Sequence, residues 1–244
     1  MILLRSILFY AGLSCATIVF FPIAILLYPF PLSLRFRVMS RWAIFNLWWL
    51  RRTCGLGHEV EGLGNIPQQA SIIMCKHQSA WETLALQLVF PPQVWILKRE
   101  LLWIPIYGWA LAAMQPIAIN RSSMIRAMRQ IVNEGCQRLQ QGLWVVIFPE
   151  GTRIAPGIRG KYQPGGGMLA EQAGCPVVPV AHNSGYFWPR NSLKKWPGTI
   201  TMVIGPPIDS KGKSAEFIMA QVEDWIETTV ERLPKPASRA VIGK

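Results

Sequence analysis

The chain of 244 residues is long enough for one large α/β domain with a sizeable core. It carries a formal net charge of +12, yet 51% of its residues are hydrophobic and its mean hydropathy is +0.25. This combination favours a membrane surface carrying anionic lipid, and because no nucleic-acid-binding module is recognisable we expect no nucleic-acid partner. Five scattered cysteines and three histidines predict reduced thiols, with neither a disulfide framework nor a metal site.

The first element in chain order is an apolar segment. No charged residue occurs between Arg5 and Arg35, and residues 7–28 are almost wholly apolar. Because about 20 such residues suffice to cross a bilayer, the segment predicts a retained membrane anchor. A cleaved signal peptide is the alternative, but this apolar run is longer than a usual signal core. Prolines in and after the run also permit a bent or re-entrant helix.

A second apolar block, residues 42–50, is rich in tryptophan and too short to span a bilayer. It predicts an interfacial helix that forms a hairpin with the first segment. Five arginines lie between the first apolar segment and the first acidic residue, Glu59: Arg35, Arg37, Arg41, Arg51 and Arg52. They place the following chain on the cytoplasmic side if the first segment spans, and attract anionic head groups if it does not. We therefore expect the main domain at the cytoplasmic face of the inner cell membrane.

The chain is divided on these grounds into three parts: N-terminal membrane-anchoring helices at 1–52, an α/β domain at 53–233 and a basic tail at 234–244, for which we predict disorder.

From Gly55 onward, short apolar β segments alternate with helical segments. Strands are predicted at 58–62, 71–75, 93–97, 116–119, 144–148, 177–181 and 199–204, and helices at 82–90, 105–114, 123–140, 167–173 and 214–232. This alternation predicts an α/β fold with a mostly parallel central sheet flanked by helices. The charge-free stretch 101–120 resembles a second span, but its prolines favour a buried helix that leads into a strand.

The stretch from His77 to Glu82 follows the apolar strand at 71–75 directly. Histidine is the side chain best placed to exchange a proton near neutral pH, and a nearby carboxylate fixes its tautomer. Positions five apart on one helix point roughly 140° away from each other. The pair therefore converges when His77 lies in the loop and Glu82 in the first helical turn. Ser79 and Glu82 also have capping-box spacing, so the competing hypothesis is that Glu82 only caps its helix.

A second motif, Phe-Pro-Glu-Gly-Thr-Arg at 148–153, follows the apolar strand at 144–148. A guanidinium at the carboxyl end of a strand suits a phosphate, which it can grip with two parallel hydrogen bonds. The alternative is an ion pair between Glu150 and Arg153 that steadies the turn. The glycines at 165–167 similarly predict either a flexible phosphate-binding loop or a solvated linker.

Two further strands end in basic residues, Lys98 and Arg121. Together with His77 and Arg153, they place a histidine or a cation at four strand ends, so these ends could converge on one anionic site, since ligands of parallel sheets gather there. Each residue could also be only a solvated strand end.

Several other motifs are absent. No Gly-x-Ser-x-Gly occurs, and His182-Asn183-Ser184 has no partner at a recognisable spacing. The sequence therefore gives no support for a covalent serine or cysteine mechanism.

Taken together, these segments resemble the conserved blocks of the glycerophospholipid acyltransferases, most of all the bacterial 1-acyl-glycerol-3-phosphate acyltransferases. His77 to Glu82 is similar to the first block, His-x4-Asp, with glutamate in place of the commoner aspartate. Asn120-Arg121 resembles the second block, with asparagine where aspartate is frequent. Residues 148–153 match the third block without a change, and 177–180 resemble the fourth. The resemblance covers about residues 40–210.

The resemblance implies transfer of a fatty acyl group from acyl-CoA or acyl-ACP to the sn-2 hydroxyl of lysophosphatidic acid, giving phosphatidic acid. The thioester is a co-substrate and membrane lipids are the partners; no metal or other cofactor is implied. His77 would be the catalytic base and Glu82 its orienting carboxylate. The implied substrate-binding residues are Lys98, Arg121, Glu150, Gly151, Thr152 and Arg153. The alternatives are an acyltransferase for another lysolipid (a lysophospholipid or a lyso-ornithine lipid), a thioester hydrolase, and a non-catalytic lipid-binding protein.

Overall fold

A seven-stranded sheet forms the centre of the protein. The computed structural model describes residues 1–105, 107–120 and 122–236, so most of the predicted tail lies outside the described residues. The strands are β1 (Leu56–Glu61), β2 (Ile72–Cys75), β3 (Gln93–Lys98), β4 (Ile117–Ile119), β5 (Trp144–Ile147), β6 (Val177–His182) and β7 (Gly198–Ile204). Their order is β1-β7-β6-β2-β5-β3-β4. Neighbours are parallel except β6 and β7, which confirms the predicted mostly parallel sheet.

Helices cover both faces of this sheet. They are α1 (Ile2–Leu26), α2 (Leu32–Cys54), α3 (Trp81–Val89), α4 (Tyr107–Ala113), α5 (Met124–Gln140), α6 (Gly165–Ala173) and α7 (Ala215–Arg232). Residues of α1, α2 and α3 share a hydrophobic core with one face, and residues of α5, α6 and α7 share a second core with the other. Because both faces are covered, every residue of β2, β5 and β6 is buried, as their continuous apolar runs predict.

The first two helices form an antiparallel hairpin, as predicted. The indole N–H of Trp49, near the end of α2, donates to the carbonyl of Leu8 near the start of α1 at 3.2 Å. Helix α1 has the length and composition of a membrane-crossing helix, with a mean hydropathy of 2.0 and 17% of its most apolar window buried. Helix α2 begins at Leu32 and is therefore longer than the predicted interfacial block.

The hairpin also contributes to the core beneath the sheet. Phe9 of α1 is fully buried and packs edge-on against Trp188, with ring centroids 5.2 Å apart. Leu50 and Cys54 at the end of α2 are buried in the same cluster. The division of the chain at residue 52 stays a prediction, and the packing makes the helices and the sheet parts of one core.

Helix α4 leads into β4 as predicted, but the prediction that it is buried is wrong. Tyr107 and Trp109 are 44% and 57% exposed. The helix lies against α1, where the rings of Phe21 and Trp109 approach to 6.0 Å. A charge-free pattern is the same for a helix inside a core and for one that shows an apolar surface, so sequence alone did not separate the two.

The glycines at 165–167 do not form a flexible loop, which corrects that prediction. They are the first three residues of α6 and all are buried. A Cβ atom on Gly167 would lie 2.5 Å from the carbonyl oxygen of Ala215, and one on Gly166 would lie 2.7 Å from the terminal methyl of Met74. The absence of side chains therefore lets α6 pack closely against β2 and the start of α7.

Candidate active site

His77 lies two residues beyond the end of the central strand β2, at the edge where the carboxyl ends of β5, β3 and β4 also meet. It is in the loop, while Glu82 is the second residue of α3. The two converge as the spacing predicts: Nδ1 of His77 is 2.8 Å from Oε1 of Glu82. The additional methylene of glutamate, compared with aspartate, leaves this hydrogen bond intact.

Glu82 organises the whole turn that leads into α3. Its side chain is fully buried, and Oε1 also accepts the backbone N–H groups of Gln78 at 3.0 Å and Ser79 at 2.9 Å. Its Oε2 accepts the hydroxyls of Ser79 at 2.8 Å and Ser184 at 3.2 Å. The Ser79 hydroxyl in turn accepts the N–H of Trp81 at 2.8 Å. One carboxylate thus holds both His77 and the turn that precedes α3, and the Ser79 backbone N–H that it accepts is the contact a capping box would make.

The charge of Glu82 is held in place by its surroundings. Burial acts to raise its pKa, but nearby His182 and the hydrogen bonds from His77 and Ser79 outweigh that effect and lower the pKa to about 2. The carboxylate is therefore ionised at neutral pH and keeps a proton on Nδ1 of His77. This leaves Nε2 of His77 as the ring nitrogen with a free lone pair, as a general base requires.

His182 and Ser184 complete the support of Glu82 from the end of β6. Both are fully buried. The His182 Nε2–H donates to the carbonyl of Lys76 at 2.8 Å, while its Nδ1 accepts the N–H of Ser184 at 3.3 Å. These contacts specify a neutral ring, and burial correspondingly lowers the His182 pKa against the opposing effect of Glu82.

No partner of His182 and Ser184 was recognisable from sequence spacing, and the structure supplies partners from distant parts of the chain. The hydroxyl of Ser184 contacts a residue 102 positions earlier in the chain. That distance exceeds anything a sequence motif reports, and only the pairing of β6 beside β2 brings the two segments together.

The ring of His77 stands at the wall of a cavity of about 610 Å³. It stacks on Phe148 with centroids 3.9 Å apart and planes 12° apart, so its orientation is fixed by packing as well as by Glu82. The His77 side chain is 17% exposed. The remaining wall is mostly apolar, with contributions from Trp42, Leu97, Leu101, Leu111, Ile119, Met124, Met128, Ile131 and Ile147.

The structure brings most of the predicted substrate-binding residues to this cavity. Lys98, Glu150, Gly151 and Thr152 line it together with His77. Gly151 adopts a left-handed conformation, with φ at 66°, at the point where the chain turns over the cavity. The substrate-binding roles of these residues stay predictions.

For two of the predicted substrate-binding residues, Arg153 and Arg121, the outcome is different. Arg153 does not line the cavity, but the next residue, Ile154, donates its N–H to the carbonyl of His77 at 2.8 Å. Arg153 is therefore fixed close to the histidine. Arg121 lies outside the described residues.

Glu150 does not pair with Arg153, so the predicted ion pair within this turn is wrong. Its carboxyl group is buried and turned inward: Oε2 accepts the N–H of His77 at 2.9 Å, and Oε1 lies 2.6 Å from Nζ of Lys76. Lys76 is also buried and lies 2.7 Å from Oε1 of Glu227 on α7. The inward geometry gives Glu150 the task of fixing the His77 backbone.

Among the described residues, no three of the types His, Cys, Asp or Glu are grouped to hold a metal ion. The prediction that the protein uses neither a metal nor another cofactor stays a prediction.

A sequence model of the family described as Acyltransferase matches residues 57–183, just over half of the chain. The matched range contains His77, Glu82 and the segment 148–153 that forms the cavity wall. This chain belongs to the acyltransferase family. The protein is therefore an acyltransferase, and the His77–Glu82 pair is the candidate centre of its chemistry.

This acyltransferase is similar to several known proteins along most of its length. It is 43% identical over 235 residues to the 1-acyl-sn-glycerol-3-phosphate acyltransferase of Pseudomonas aeruginosa, covering 94% of this chain and 91% of that one. It is 27% identical to the 1-acyl-sn-glycerol-3-phosphate acyltransferase of Cocos nucifera, covering 93% and 73%. The crystal structure of the 1-acyl-sn-glycerophosphate acyltransferase PlsC from Thermotoga maritima superimposes with a TM-score of 0.78, at 23% identity and over 96% of this chain and 97% of that one, which establishes a shared fold.

Proposed function

We propose that this acyltransferase moves a fatty acyl group from acyl-CoA or acyl-ACP to the sn-2 hydroxyl of lysophosphatidic acid, giving phosphatidic acid. The observation that carries the proposal is the 2.8 Å contact between His77 and Glu82 at the wall of a large apolar cavity. This acceptor is also the one implied by the names of the relatives from Pseudomonas aeruginosa and Cocos nucifera.

The geometry supports a direct transfer. Nε2 of His77 takes the proton of the acceptor hydroxyl as that oxygen attacks the thioester carbonyl, and Glu82 stabilises the imidazolium that results. When the tetrahedral intermediate collapses, the carbon–sulfur bond breaks and the departing thiolate takes the proton back from His77. Each proton and each bond is accounted for without a covalent acyl-enzyme, so no serine or cysteine nucleophile is needed.

The cavity has an apolar region that suits a fatty acyl chain and a basic region that suits a phosphate. Its apolar wall, formed by β3, α4 and α5, suits a fatty acyl chain, whose burial is favourable by roughly 25 cal/mol per Å². Near His77, Lys98 and Arg153 suit the phosphate of the acceptor. Lys98 is half exposed and faces Glu100 only at 3.8 Å, so it is accessible to an anion. Arg121 would join them if the second sequence block acts as its resemblance implies.

Both acceptor and product reside in a bilayer, and the N-terminal elements suit a protein that works there. Helix α1 exposes Leu4, Ile18 and Leu26, and the adjacent α4 exposes Trp109. Apolar surface of this extent on a strongly basic protein supports attachment to a membrane with anionic lipid. We place the active site at the cytoplasmic face of the inner membrane, since the arginines after α1 favour that side.

An acyl-transfer assay on the purified protein tests the proposal. Lysophosphatidic acid, lysophosphatidylethanolamine and a lyso-ornithine lipid would be offered as acceptors, each with acyl-CoA and with acyl-ACP. We expect phosphatidic acid as the main product. A preference for another lysolipid would change the assigned acceptor, whereas CoA release without any lipid product would indicate a thioester hydrolase. Lipid binding without turnover on either donor would overturn the enzymatic proposal altogether.

A further inference from the structure

Arg190 stands beside the segment 148–153 but belongs to none of the four sequence blocks. Its Nη1 donates to the carbonyl of Arg153 at 2.8 Å and lies 3.5 Å from the hydroxyl oxygen of Thr152. Thr152 lines the cavity that holds His77. The guanidinium of Arg190 therefore lies at the rim of the active-site cavity, next to the arginine expected to bind phosphate.

The loop that carries Arg190 is fixed on both sides of it. On the N-terminal side, Trp188 is buried against Phe9 of α1. On the C-terminal side, Lys195 is 1% exposed, donates to the hydroxyl of Tyr10 at 2.7 Å, and lies 4.5 Å and 4.7 Å from the ring centroids of Tyr10 and Trp188. These anchors tie both ends of the loop to α1.

Arg190 itself occupies a tight turn between these anchors. The N–H of Ser192 donates to the carbonyl of Pro189 at 3.3 Å, and Asn191 adopts a left-handed conformation with φ at 61°. The turn holds the exposed Arg190 at a defined place, so little conformational entropy would be lost when it binds a ligand.

The charges around this place are unbalanced. Within residues 1–105, 107–120 and 122–236, neither Arg153 nor Arg190 forms an ion pair, whereas Lys76 is paired with two carboxylates and Arg159 with Glu223. The guanidinium of Arg190 is thus held against the backbone of Arg153, and neither arginine has an ion-pair partner in the described part of the chain. An anion placed here could accept hydrogen bonds from both side chains, and a phosphate has the number and geometry of acceptors for two guanidinium groups.

We propose that Arg190 is a second phosphate-binding residue, which acts with Arg153 on the phosphate monoester of the acceptor. The inference rests on the proposed function, because it assigns the ligand as lysophosphatidic acid. The phosphates of CoA have the same chemistry and are the competing source. The two sources separate experimentally, because acceptor and donor concentrations can be varied independently.

Three variants test the assignment. Arg190→Gln keeps an N–H donor for the carbonyl of Arg153 but removes the charge, and Arg190→Lys keeps the charge but not the fork of donors. Lys211→Gln is the control, since it removes one positive charge from an exposed turn before α7. Among the described residues, the ammonium group of Lys211 forms no hydrogen bond or ion pair with a side chain. Steady-state rates would be measured with lysophosphatidic acid in mixed micelles at saturating acyl-CoA, and then with the two roles exchanged.

We expect Arg190→Gln to raise the KM for lysophosphatidic acid about 10- to 100-fold, as loss of a charged hydrogen-bond donor would. Its KM for acyl-CoA should stay within about twofold, Arg190→Lys should recover part of the loss, and Lys211→Gln should resemble the wild type. An unchanged KM for the acceptor would overturn the proposal, as would a rise confined to the donor or shared equally by both. If the wild type itself makes no phosphatidic acid, the proposed function fails and not merely the assignment of Arg190.

Discussion

At the scale of single residues, the candidate active site depends on the hydrogen bonds that converge on the carboxylate of Glu82. Glu82 accepts hydrogen bonds from the imidazole of His77, two backbone N–H groups and two hydroxyls while it is wholly buried. A buried carboxylate with so many donors remains charged, because each donor favours the ionised form. The same contacts hold the loop before α3 in shape, so orientation of His77 and initiation of the helix are not separable in the folded protein.

Replacement of Glu82 by glutamine separates the charge from the shape. The amide oxygen can still accept the N–H groups of Gln78 and Ser79, so we expect Glu82→Gln to fold. The neutral amide cannot stabilise the imidazolium, and kcat should therefore fall about 10²- to 10⁴-fold. Turnover and thermal unfolding of the purified variant would be measured together. Near wild-type turnover in a folded Glu82→Gln protein would show that the charge has no part in catalysis.

His182 predicts how stability depends on pH. It is buried and neutral in the folded protein and its pKa is lowered there, whereas an exposed histidine takes a proton near 6.5. The unfolded state therefore binds more protons below about pH 6.5, and stability falls as the pH falls through that range, by up to about 1.4 kcal/mol per pH unit for one group.

His182→Gln removes this titration while it keeps a donor for the carbonyl of Lys76. Free energies of unfolding from pH 5 to 7.5, measured in detergent with urea, should show a shallower slope for the variant. His58, whose pKa burial also lowers, remains in both proteins and so does not affect the comparison. Identical slopes would contradict a neutral His182.

Contacts in the site between residues close in sequence could be predicted, and contacts between distant residues could not. His77 and Glu82 are five positions apart, so a loop followed by a helical turn was enough to predict their contact. Ser184 contacts Glu82 from 102 positions away, and Glu227 contacts Lys76 from 151 positions away. The order of the strands and the packing of α7 bring these residues together. For Glu150, the position at the end of a strand was predicted, but the direction of its side chain was not.

At the scale of elements, a buried polar cluster joins α7 to the end of β2. Lys76 lies between Glu150, in the segment after β5, and Glu227 on α7, and the hydroxyl of Tyr162 donates to Glu227 at 2.8 Å. Since Glu150 also accepts the N–H of His77, the cluster connects the C-terminal helix to the backbone of the proposed base.

Lys76→Met tests the importance of this cluster. The substitution leaves two carboxylates buried near each other without their cation, which should cost roughly 3–5 kcal/mol of stability. Arg159→Gln is the matched control, because it breaks an ion pair to Glu223 on the same helix at an exposed site and should have little effect. Denaturant unfolding of both variants would measure the difference. Equal stability of the two variants would contradict a structural role for the buried lysine.

The elements themselves were predicted closely because their signals are local. Continuous apolar runs marked β2, β5 and β6, and each observed strand begins and ends within a few residues of its prediction. The environment of α4 was not predicted, because an apolar helix has the same composition whether protein or lipid covers it.

At the scale of the whole molecule, exposed apolar side chains are concentrated on α1, with further ones on α2 and α4, while the net charge is +12. This asymmetry suits a protein whose catalytic sheet is held against a bilayer. Helix α1 also fills the core through Phe9 and holds the Arg190 loop through Tyr10, so this largely exposed apolar helix is part of the scaffold of the candidate active site.

The lipid-facing role of α1 is testable without disturbing its packing. Leu4, Ile18 and Leu26 are 72%, 68% and 73% exposed, so replacing all three with glutamine should leave the core intact. We expect the triple variant to bind vesicles containing anionic phospholipid at least about tenfold more weakly. Phe217→Gln, on α7 across the sheet, is the control and should bind as the wild type does. Unchanged flotation of the triple variant with vesicles would contradict the assignment.

The central claim is that His77 is the base that transfers an acyl group to lysophosphatidic acid. The most direct measurement compares purified wild type and His77→Ala with acyl-CoA and lysophosphatidic acid, following CoA release and phosphatidic acid by mass spectrometry. The wild type should form both products in equal amounts, and His77→Ala should be slower by about 10²- to 10⁴-fold with an unchanged unfolding midpoint. Continued phosphatidic acid formation by the variant, or CoA release without phosphatidic acid in the wild type, would contradict the claim.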